Sequence, residues 1–165
     1  VTWRLDTDQA DSYRIDTGTV IAGTAARQFG SDAFFTGGQS GTADTRGGRG
    51  RKPVFVAIAG TDMRDIAASY RLGAFSYHLP VQGGRYRVTL IFVAPDRDEG
   101  LGPFDVMVNG TTMLRGFDVL KQAGGPLTAV TQSREVTVSA GGSIQLDFKP
   151  RSGKAIVSAI QVERL

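Results

Sequence analysis

Residues 75–95, FSYHLPVQGGRYRVTLIFVAP, contain two runs in which apolar and polar side chains alternate. The first run covers residues 75–79 and the second covers residues 86–92. A period of two residues is typical of a β-strand with one buried face, whereas a helix has a period of 3.6. Gly83 and Gly84 lie between the runs, and glycine tolerates the positive φ of tight turns. The stretch therefore predicts a β-hairpin in the middle of a sheet.

The second run ends in four consecutive apolar residues, Leu90 to Val93, and is therefore apolar on both faces. A strand of this kind is expected in the centre of a sheet, with other segments packed on each side. Residues 54–58, VFVAI, are apolar and rich in β-branched side chains, and they predict a second buried strand.

More strands are predicted along the chain. Asn109-Gly110 separates two short runs within residues 104–114, and this pair suits the type I′ turn of a hairpin. Further candidates are residues 1–5, 13–16, 19–21, 134–139, 144–149 and 155–163. About nine or ten short strands with frequent turn signals favour an all-β fold, a two-sheet antiparallel β-sandwich.

Two segments are interpreted differently. Residues 23–52 are rich in Gly, Thr, Ser and Asp, and they predict an ordered loop region whose tip, residues 37–50, is disordered or orders on binding. Residues 62–70 could form a helical turn, but an extended structure is favoured because a predicted strand follows immediately.

Length and composition indicate one domain over residues 1–165, with residues 1–14 as an extra edge strand or a linker. The 22 glycines agree with many tight turns. The absence of cysteine excludes disulfides, thiolate metal sites and cysteine nucleophiles. No apolar run approaches the roughly 20 residues that span a bilayer, so membrane insertion is not expected.

Catalytic chemistry has few candidates. His78, the only histidine, lies within a predicted strand, and no Gly-x-Ser-x-Gly sequence accompanies it. We interpret it as a strand residue that faces solvent or a polar neighbour. The acidic loop Asp96, Asp98 and Glu99 could be a solvated loop, a ligand contact, a catalytic carboxylate pair or a calcium site. Its spacing matches no calcium-binding loop, so no cofactor is predicted, although a structural calcium ion is kept as an alternative.

The positive charge is local. The net charge is +3, and removing the four charges of Arg46, Arg49, Arg51 and Lys52 leaves the remainder of the chain at −1. This tract resembles a short nucleic-acid-binding segment, but it lacks interleaved aromatic residues, so a solvated loop is favoured and no nucleic-acid partner is predicted. Asn109-Gly110-Thr111 fits a glycosylation acceptor, and the hairpin turn explains it equally well.

Several segments, taken in order, resemble the malectin and malectin-like domains. They are SDAFFTGG, IAGTD, ASYRLGAFSYHLPV, GGRYRVTLIF, FDVMVNG and the closing AIVSAIQVE, and the resemblance covers roughly residues 15–165. It implies a jelly-roll-like, galactose-binding-like sandwich without enzymatic activity, in which loops at one end recognise sugar. The family includes carbohydrate-binding modules of bacterial glycosidases.

The resemblance also implies positions for a sugar site, and the chain departs from the family at several of them. Animal malectin holds a glucose disaccharide with aromatic residues and an aspartate. Its first aromatic corresponds here to Phe34 or Phe35, a tyrosine to Ala67, an aromatic pair to the region of Asp96 and Arg97, and the aspartate to the region of Gly153. A different sugar site could be built from Phe34, Phe35, Tyr70, Arg71, Arg97 and Asp98.

The function predicted from the sequence is a non-catalytic carbohydrate-binding module that binds an oligosaccharide or polysaccharide. It would be an accessory domain of a larger bacterial polypeptide, secreted or periplasmic, in contact with neighbouring domains. The alternative is a protein-interaction or structural module on the same fold whose sugar site has been lost. A glycoside hydrolase that uses Asp96, Asp98 or Glu99 is disfavoured.

Overall fold

A computed structural model of the chain describes residues 12–19, 29, 30, 32–44 and 49–165. The predicted strand at residues 1–5, most of that at 19–21, and Arg46 lie outside these ranges. The described elements, in chain order, are β1 (Ser12–Asp16), β2 (Phe35–Thr42), α1 (Arg64–Ala67), β3 (Ser69–Pro80), β4 (Gly84–Phe92), β5 (Phe104–Val108), β6 (Thr111–Phe117), α2 (Val119–Ala123), β7 (Val130–Val138), β8 (Ser143–Pro150), β9 (Ala155–Val157) and β10 (Ala159–Arg164).

The strands form two antiparallel sheets. One sheet has the strand order β1-β10-β4-β7, and the other has the order β2-β3-β8-β5-β6, with β9 also paired to β3. The predicted two-sheet antiparallel β-sandwich is confirmed. β2 is an edge strand that pairs with β3 alone among the described strands.

The main core lies between the sheets, and its residues alternate along the strands as predicted. Tyr77 and Leu79 of β3 face inward, and Val88 and Leu90 of β4 do the same from the opposite sheet. Phe148 of β8 stands at the centre of an aromatic group in which its ring stacks on Phe75 at a centroid distance of 4.6 Å. This burial is the main stabilising contribution to the sandwich.

The predicted hairpin of residues 75–79 and 86–92 is wrong. Both segments are strands, but β3 pairs with β2, β8 and β9, whereas β4 pairs with β10 and β7. The short connection after Pro80 therefore carries the chain across the core to the opposite sheet, and Val81 is buried there. The alternation of apolar and polar residues indicates which side chains are buried, but it does not indicate which strands pair. Two strands that face each other across one core show the same alternation as two paired strands of a hairpin.

The prediction for the apolar end of β4 is confirmed. β4 lies between β10 and β7, and its outward-facing Ile91 packs against Ile66 and Ala159. Val93, which follows the strand, packs against Ile58 and Ala67. Residues 58–68 thus cover the outer face of this part of the four-stranded sheet.

The buried strand predicted at residues 54–58 is wrong. The segment belongs to neither sheet, and only Ile58 is buried, whereas Val54 and Phe55 are 56% and 71% exposed. The backbone N–H of Val56 donates to the Asp44 carboxylate at 2.8 Å rather than to a neighbouring strand. An apolar composition favours burial, but a strand also requires a partner for its backbone groups.

Two neighbouring predictions need correction. Residues 64–67 form the short helix α1, and extended structure begins only at Ser69, because Ile66 and Ala67 are buried against the four-stranded sheet. The segment Phe35–Thr42, predicted as part of a loop, is the edge strand β2. Its glycines do not prevent pairing with β3, and the ladder shifts between Gly37 and Gln39.

The second predicted hairpin is confirmed. β5 and β6 pair around Asn109 and Gly110, which have φ values of 48° and 78°, as a type I′ turn requires. The connection that follows contains α2, whose N-cap Asp118 accepts a hydrogen bond from the Lys121 backbone N–H. The strand predicted at residues 155–163 is two strands, because the chain passes from one sheet to the other at Ser158.

Candidate functional site

The larger of two adjacent clefts, called here the β2–β3 cleft, lies where the end of β2 meets the start of β3. Its volume is about 570 Å³. The loop after β4 closes one side of it. The lining residues are Gln39, Ser40, Gly41, Thr42, Asp44, Tyr70, Leu72, Arg97 and Glu99.

Tyr70 is held in the wall of this cleft by its neighbours on both strands. It lies opposite Gly41 in the β2–β3 ladder. A Cβ atom at Gly41 would lie 2.3 Å from Cε2 of the Tyr70 ring, so only glycine leaves room for the ring there. The Tyr70 hydroxyl donates to Oε1 of Glu99 at 2.9 Å. The ring is therefore fixed at its face and at its hydroxyl.

Arg97 joins the loop after β4 to the edge strand. Its Nη2 donates to the Tyr70 hydroxyl at 2.8 Å and to the carbonyl oxygen of Thr42, and its Nε donates to Glu99 at 2.5 Å. These bonds form a closed network of Tyr70, Arg97 and Glu99 in which each group contacts the other two. The Arg97 side chain is still partly exposed to the cleft.

The network fixes the charge of its members. The Arg97 guanidinium and the Tyr70 hydroxyl lower the pKa of Glu99, and Glu99 in turn raises the pKa of Arg97. Burial, with the hydrogen bond to Glu99, raises the pKa of Tyr70 to about 12. All three groups thus keep one charge state through the neutral range. They are suited to hydrogen bonding and not to proton transfer near pH 7.

The second cleft, of about 430 Å³, adjoins the first and shares Arg97 and Glu99 with it. Leu120 of α2 and Pro126 line its apolar side. Asp98 lies in this cleft, and its Oδ1 accepts a hydrogen bond of 2.8 Å from the Gly100 backbone N–H.

The two phenylalanines predicted to bind ligand lie away from the β2–β3 cleft. Phe35 is opposite Tyr77, seven residues further along β3 than Tyr70, which corresponds to roughly 20 Å in a strand. Phe34 and Phe35 are 50% and 42% exposed, and Phe34 contacts the edge of the Tyr13 ring. They form a separate aromatic surface.

Arg71 belongs to this second region and is engaged within the protein. It is buried, and its Nε and Nη2 bind Oδ2 of Asp32 at 2.9 and 2.8 Å. The Tyr77 hydroxyl donates to the other Asp32 oxygen at 2.8 Å. The Arg71 guanidinium carbon lies 3.4 Å from the centroid of the Phe35 ring, within the range of a cation–π contact.

The six residues predicted to bind ligand therefore fall into two groups. Tyr70 and Arg97 lie in the β2–β3 cleft, and Asp98 lines its neighbour. Phe34, Phe35 and Arg71 lie together elsewhere on the edge of the sheet. Of the other lining residues, Glu99 was predicted as a ligand contact only as one alternative for the acidic loop. Asp44 and residues 39–42 were predicted to be part of a loop and were not predicted to bind ligand.

Other candidates for chemistry stay isolated. His78 is exposed on β3, and its Nδ1 lies 2.9 Å from the side-chain oxygen of Gln145. Asn109 uses both atoms of its amide, accepting from the Gln145 backbone N–H at 2.7 Å and donating to the Ser143 carbonyl at 3.1 Å. In the described ranges, no three His, Cys, Asp or Glu residues are grouped so that they could hold a metal ion. None of the described helices is long and apolar enough to cross a membrane.

The family assignment rests on the length of a sequence match. The sequence model of the malectin domain family matches residues 11–163. The chain belongs to the malectin domain family. This assignment confirms the resemblance found in the sequence. The malectin domain is 37% identical over 92 residues to Receptor-like protein 4 of Arabidopsis thaliana, a match that covers 53% of this chain and 14% of that protein.

Solved structures share the fold of this malectin domain. A β-glucuronidase from Bacteroides uniformis, bound covalently to cyclophellitol-6-carboxylate aziridine, has a TM-score of 0.75 at 17% identity over 93% of this chain and 18% of its own. The ANX2 ectodomain of Arabidopsis thaliana has a TM-score of 0.70 at 15% identity, covering 91% of this chain and 48% of its own. A structure of the plant peptide RALF23 in complex with FER and LLG2 has a TM-score of 0.73 at 16% identity, covering 91% of this chain and 47% of its own.

Proposed function

We propose that this malectin domain is a non-catalytic carbohydrate-binding module and that the β2–β3 cleft holds the glycan. The observation that carries the proposal is the closed network of Tyr70, Arg97 and Glu99 in the cleft wall. A sugar hydroxyl both donates and accepts hydrogen bonds, so a recognition site for sugars presents donors beside acceptors. Arg97 supplies donors, and the Glu99 carboxylate supplies acceptors, within one rigid group.

The remaining wall agrees with this ligand chemistry. Gln39, Ser40 and Thr42 offer amide and hydroxyl groups, while Tyr70 and Leu72 are buried and form the floor beneath them. The cleft is shallow and lies on the edge of the sheet, which suits one or a few residues of a chain that continues beyond it. The two carboxylates of its wall are engaged within the protein, Glu99 by Arg97 and Tyr70 and Asp44 by Arg64, which supports binding rather than hydrolysis.

The domain is proposed to act as one part of a longer extracellular protein. Receptor-like protein 4 is far longer than the matched segment, and the solved ANX2 structure is that of an ectodomain. A glycan-binding module attached to other domains raises the local concentration of those domains on a glycan surface. A bacterial glycosidase or a receptor-like protein would both use such a module.

The proposal is tested with a glycan array followed by calorimetric titration of the glycans that bind. Arg97→Gln removes a charge-assisted donor from the cleft, and the affinity is expected to fall about tenfold or more. Arg87→Gln is the matched control, because Arg87 is exposed on the outer face of the other sheet. Equal affinities of the two variants, or no binding across the array, would contradict a glycan site in this cleft.

A second candidate function, binding of an extended peptide, is favoured by the exposed edge strand β2. An edge strand offers unpaired backbone groups to an added strand. A peptide selected from a display library would lose binding when Thr36 on this edge is replaced by lysine and keep it in the Arg97→Gln variant. The opposite pattern would assign the peptide to the cleft and remove the support for this second function.

A further inference from the structure

A strongly basic and partly apolar surface lies beside the β2–β3 cleft. It is residues 49–55, RGRKPVF, called here the basic loop. Arg49, Arg51 and Lys52 are exposed, and so are the apolar side chains Val54 and Phe55. Since residues 54–58 are not a buried strand, the basic tract is followed directly by an exposed aromatic ring.

The three cations of the basic loop have no partner among the residues that the structure describes. Within the described parts of the chain, no ion pair or side-chain hydrogen bond involves Arg49, Arg51 or Lys52. The nearby Asp44 carboxylate is already bound by Arg64 and by the Val56 backbone N–H. These cations are therefore available to an external anion, whereas most cations on the outer face of the four-stranded sheet pair with carboxylates, as Arg85 does with Glu135 at 2.7 Å.

The end of the basic loop is attached to the cleft. Asp44, which lines the cleft, accepts the Val56 N–H at 2.8 Å, and Nε of Arg64 donates to the Val56 carbonyl oxygen at 2.7 Å. The Arg64 guanidinium carbon lies 5.3 Å from the centroid of the Phe55 ring. These contacts hold the end of the loop at the rim of the cleft.

We propose that the basic loop extends the β2–β3 cleft and selects acidic polysaccharides, those with carboxylate or sulfate groups. The inference rests on the proposed function of the cleft. Successive anionic residues of the polymer pair with the three cations, and the apolar face of a sugar ring packs on the Phe55 ring. A single exposed aromatic ring suits a sugar polymer better than single-stranded nucleic acid, for which several stacking rings are usual.

The experiment compares polymers that share a backbone and differ in charge. Carboxymethyl cellulose is compared with hydroxyethyl cellulose, and dextran sulfate with dextran, by affinity electrophoresis of the intact chain at low and high salt. The loop variant is Arg49→Gln/Arg51→Gln/Lys52→Gln. Its matched control is Arg14→Gln/Arg85→Gln/Arg87→Gln, which removes the same charge from the outer face of the four-stranded sheet.

The wild type is expected to bind at least one acidic polymer about tenfold more tightly than its neutral counterpart, with the preference lost at high salt. The loop variant should lose about tenfold in affinity for that polymer, and Phe55→Ala a fewfold, because exposed ion pairs and single stacked rings contribute modestly. The control variant should keep the wild-type preference, and circular dichroism should show all three variants folded.

Three outcomes overturn the inference. They are equal affinity for acidic and neutral polymers, an equal loss in the control variant, and tighter loop-dependent binding to single-stranded DNA or to phosphatidylserine vesicles than to any acidic polymer. Binding of neutral polymers that is lost in Arg97→Gln and kept in the loop variant would refute this inference and leave the cleft proposal standing. Binding of acidic polymers that is lost in the loop variant and kept in Arg97→Gln would support the anion selectivity of the loop and refute the proposed glycan site in the cleft.

Discussion

Replacing Asp16 with asparagine is expected to stabilise the protein at pH 8 and to change its stability little at pH 4. Asp16 ends β1 and is only 4% exposed. Its carboxylate accepts a hydrogen bond from the Ser69 hydroxyl, and its backbone N–H donates to the Gly30 carbonyl at 2.9 Å. Burial above all, together with the negative charge of Asp32, raises its pKa to about 7 from an ordinary 3.8, although the hydrogen bond from Ser69 acts in the opposite direction.

The magnitude follows from this difference in pKa. Between pH 3.8 and about 7 the folded protein keeps a proton that the unfolded chain has released, so stability falls as the pH rises through this range. Each pKa unit corresponds to about 1.4 kcal/mol, and the full effect is about 4 kcal/mol at and above pH 8. Below about pH 3 both states are protonated and the penalty disappears, and little of it is present at pH 4. Asparagine carries no charge, and its Oδ1 can still accept from Ser69.

The measurement is urea unfolding followed by circular dichroism at several values between pH 4 and pH 8. The difference in unfolding free energy between Asp16→Asn and wild type isolates this carboxyl, because the other titrating groups are common to both proteins. The difference should grow in favour of the variant by roughly 4 kcal/mol from pH 4 to pH 8. The exposed Asp96→Asn serves as the control. A difference that stays constant with pH would refute the burial argument.

Three further variants test other parts of the structure. Phe148→Ala leaves a cavity in the aromatic core and should lower the unfolding free energy by about 3–5 kcal/mol, whereas the exposed Lys149→Ala should change it little. Asp32→Asn leaves the buried Arg71 guanidinium without its counterion and should lower the unfolding free energy by about 3–5 kcal/mol. Adding Arg71→Met should recover part of this loss, and no recovery would contradict the role of the ion pair. Gly41→Ala should displace the Tyr70 ring, changing the near-ultraviolet circular dichroism and weakening glycan binding, and unchanged spectra and affinity would show that the ring has room to move.

Part of the candidate site could be predicted from the sequence. Tyr70 and Arg97 were predicted as ligand contacts and lie in one cleft, where their hydroxyl and guanidinium groups are 2.8 Å apart. Glu99, which binds both, stands two residues after Arg97 in the predicted acidic loop. Its contact with Tyr70 spans 29 residues of chain and depends on how the loop after β4 meets β3. Such a contact leaves no periodic signal in a single sequence.

The position of the aromatic residues also needed the structure. Phe35 and Tyr70 were grouped because both were expected in loops at one end of the sandwich. The register of β2 against β3 instead places Phe35 opposite Tyr77. Register depends on the pairing of the whole strand, and the glycine-rich sequence of β2 has few large side chains that would reveal it.

The sequence by itself determined the local features of this protein. Alternation located β3 and β4, and Asn109-Gly110 located the β5–β6 turn, because side-chain direction and backbone φ depend on residues close together in the chain. The tertiary structure decided which strands pair, since β3 and β4 satisfy the same alternation from opposite sheets. It also decided that Phe55 is exposed, because an apolar segment becomes a buried strand only where a sheet edge can accept its backbone hydrogen bonds.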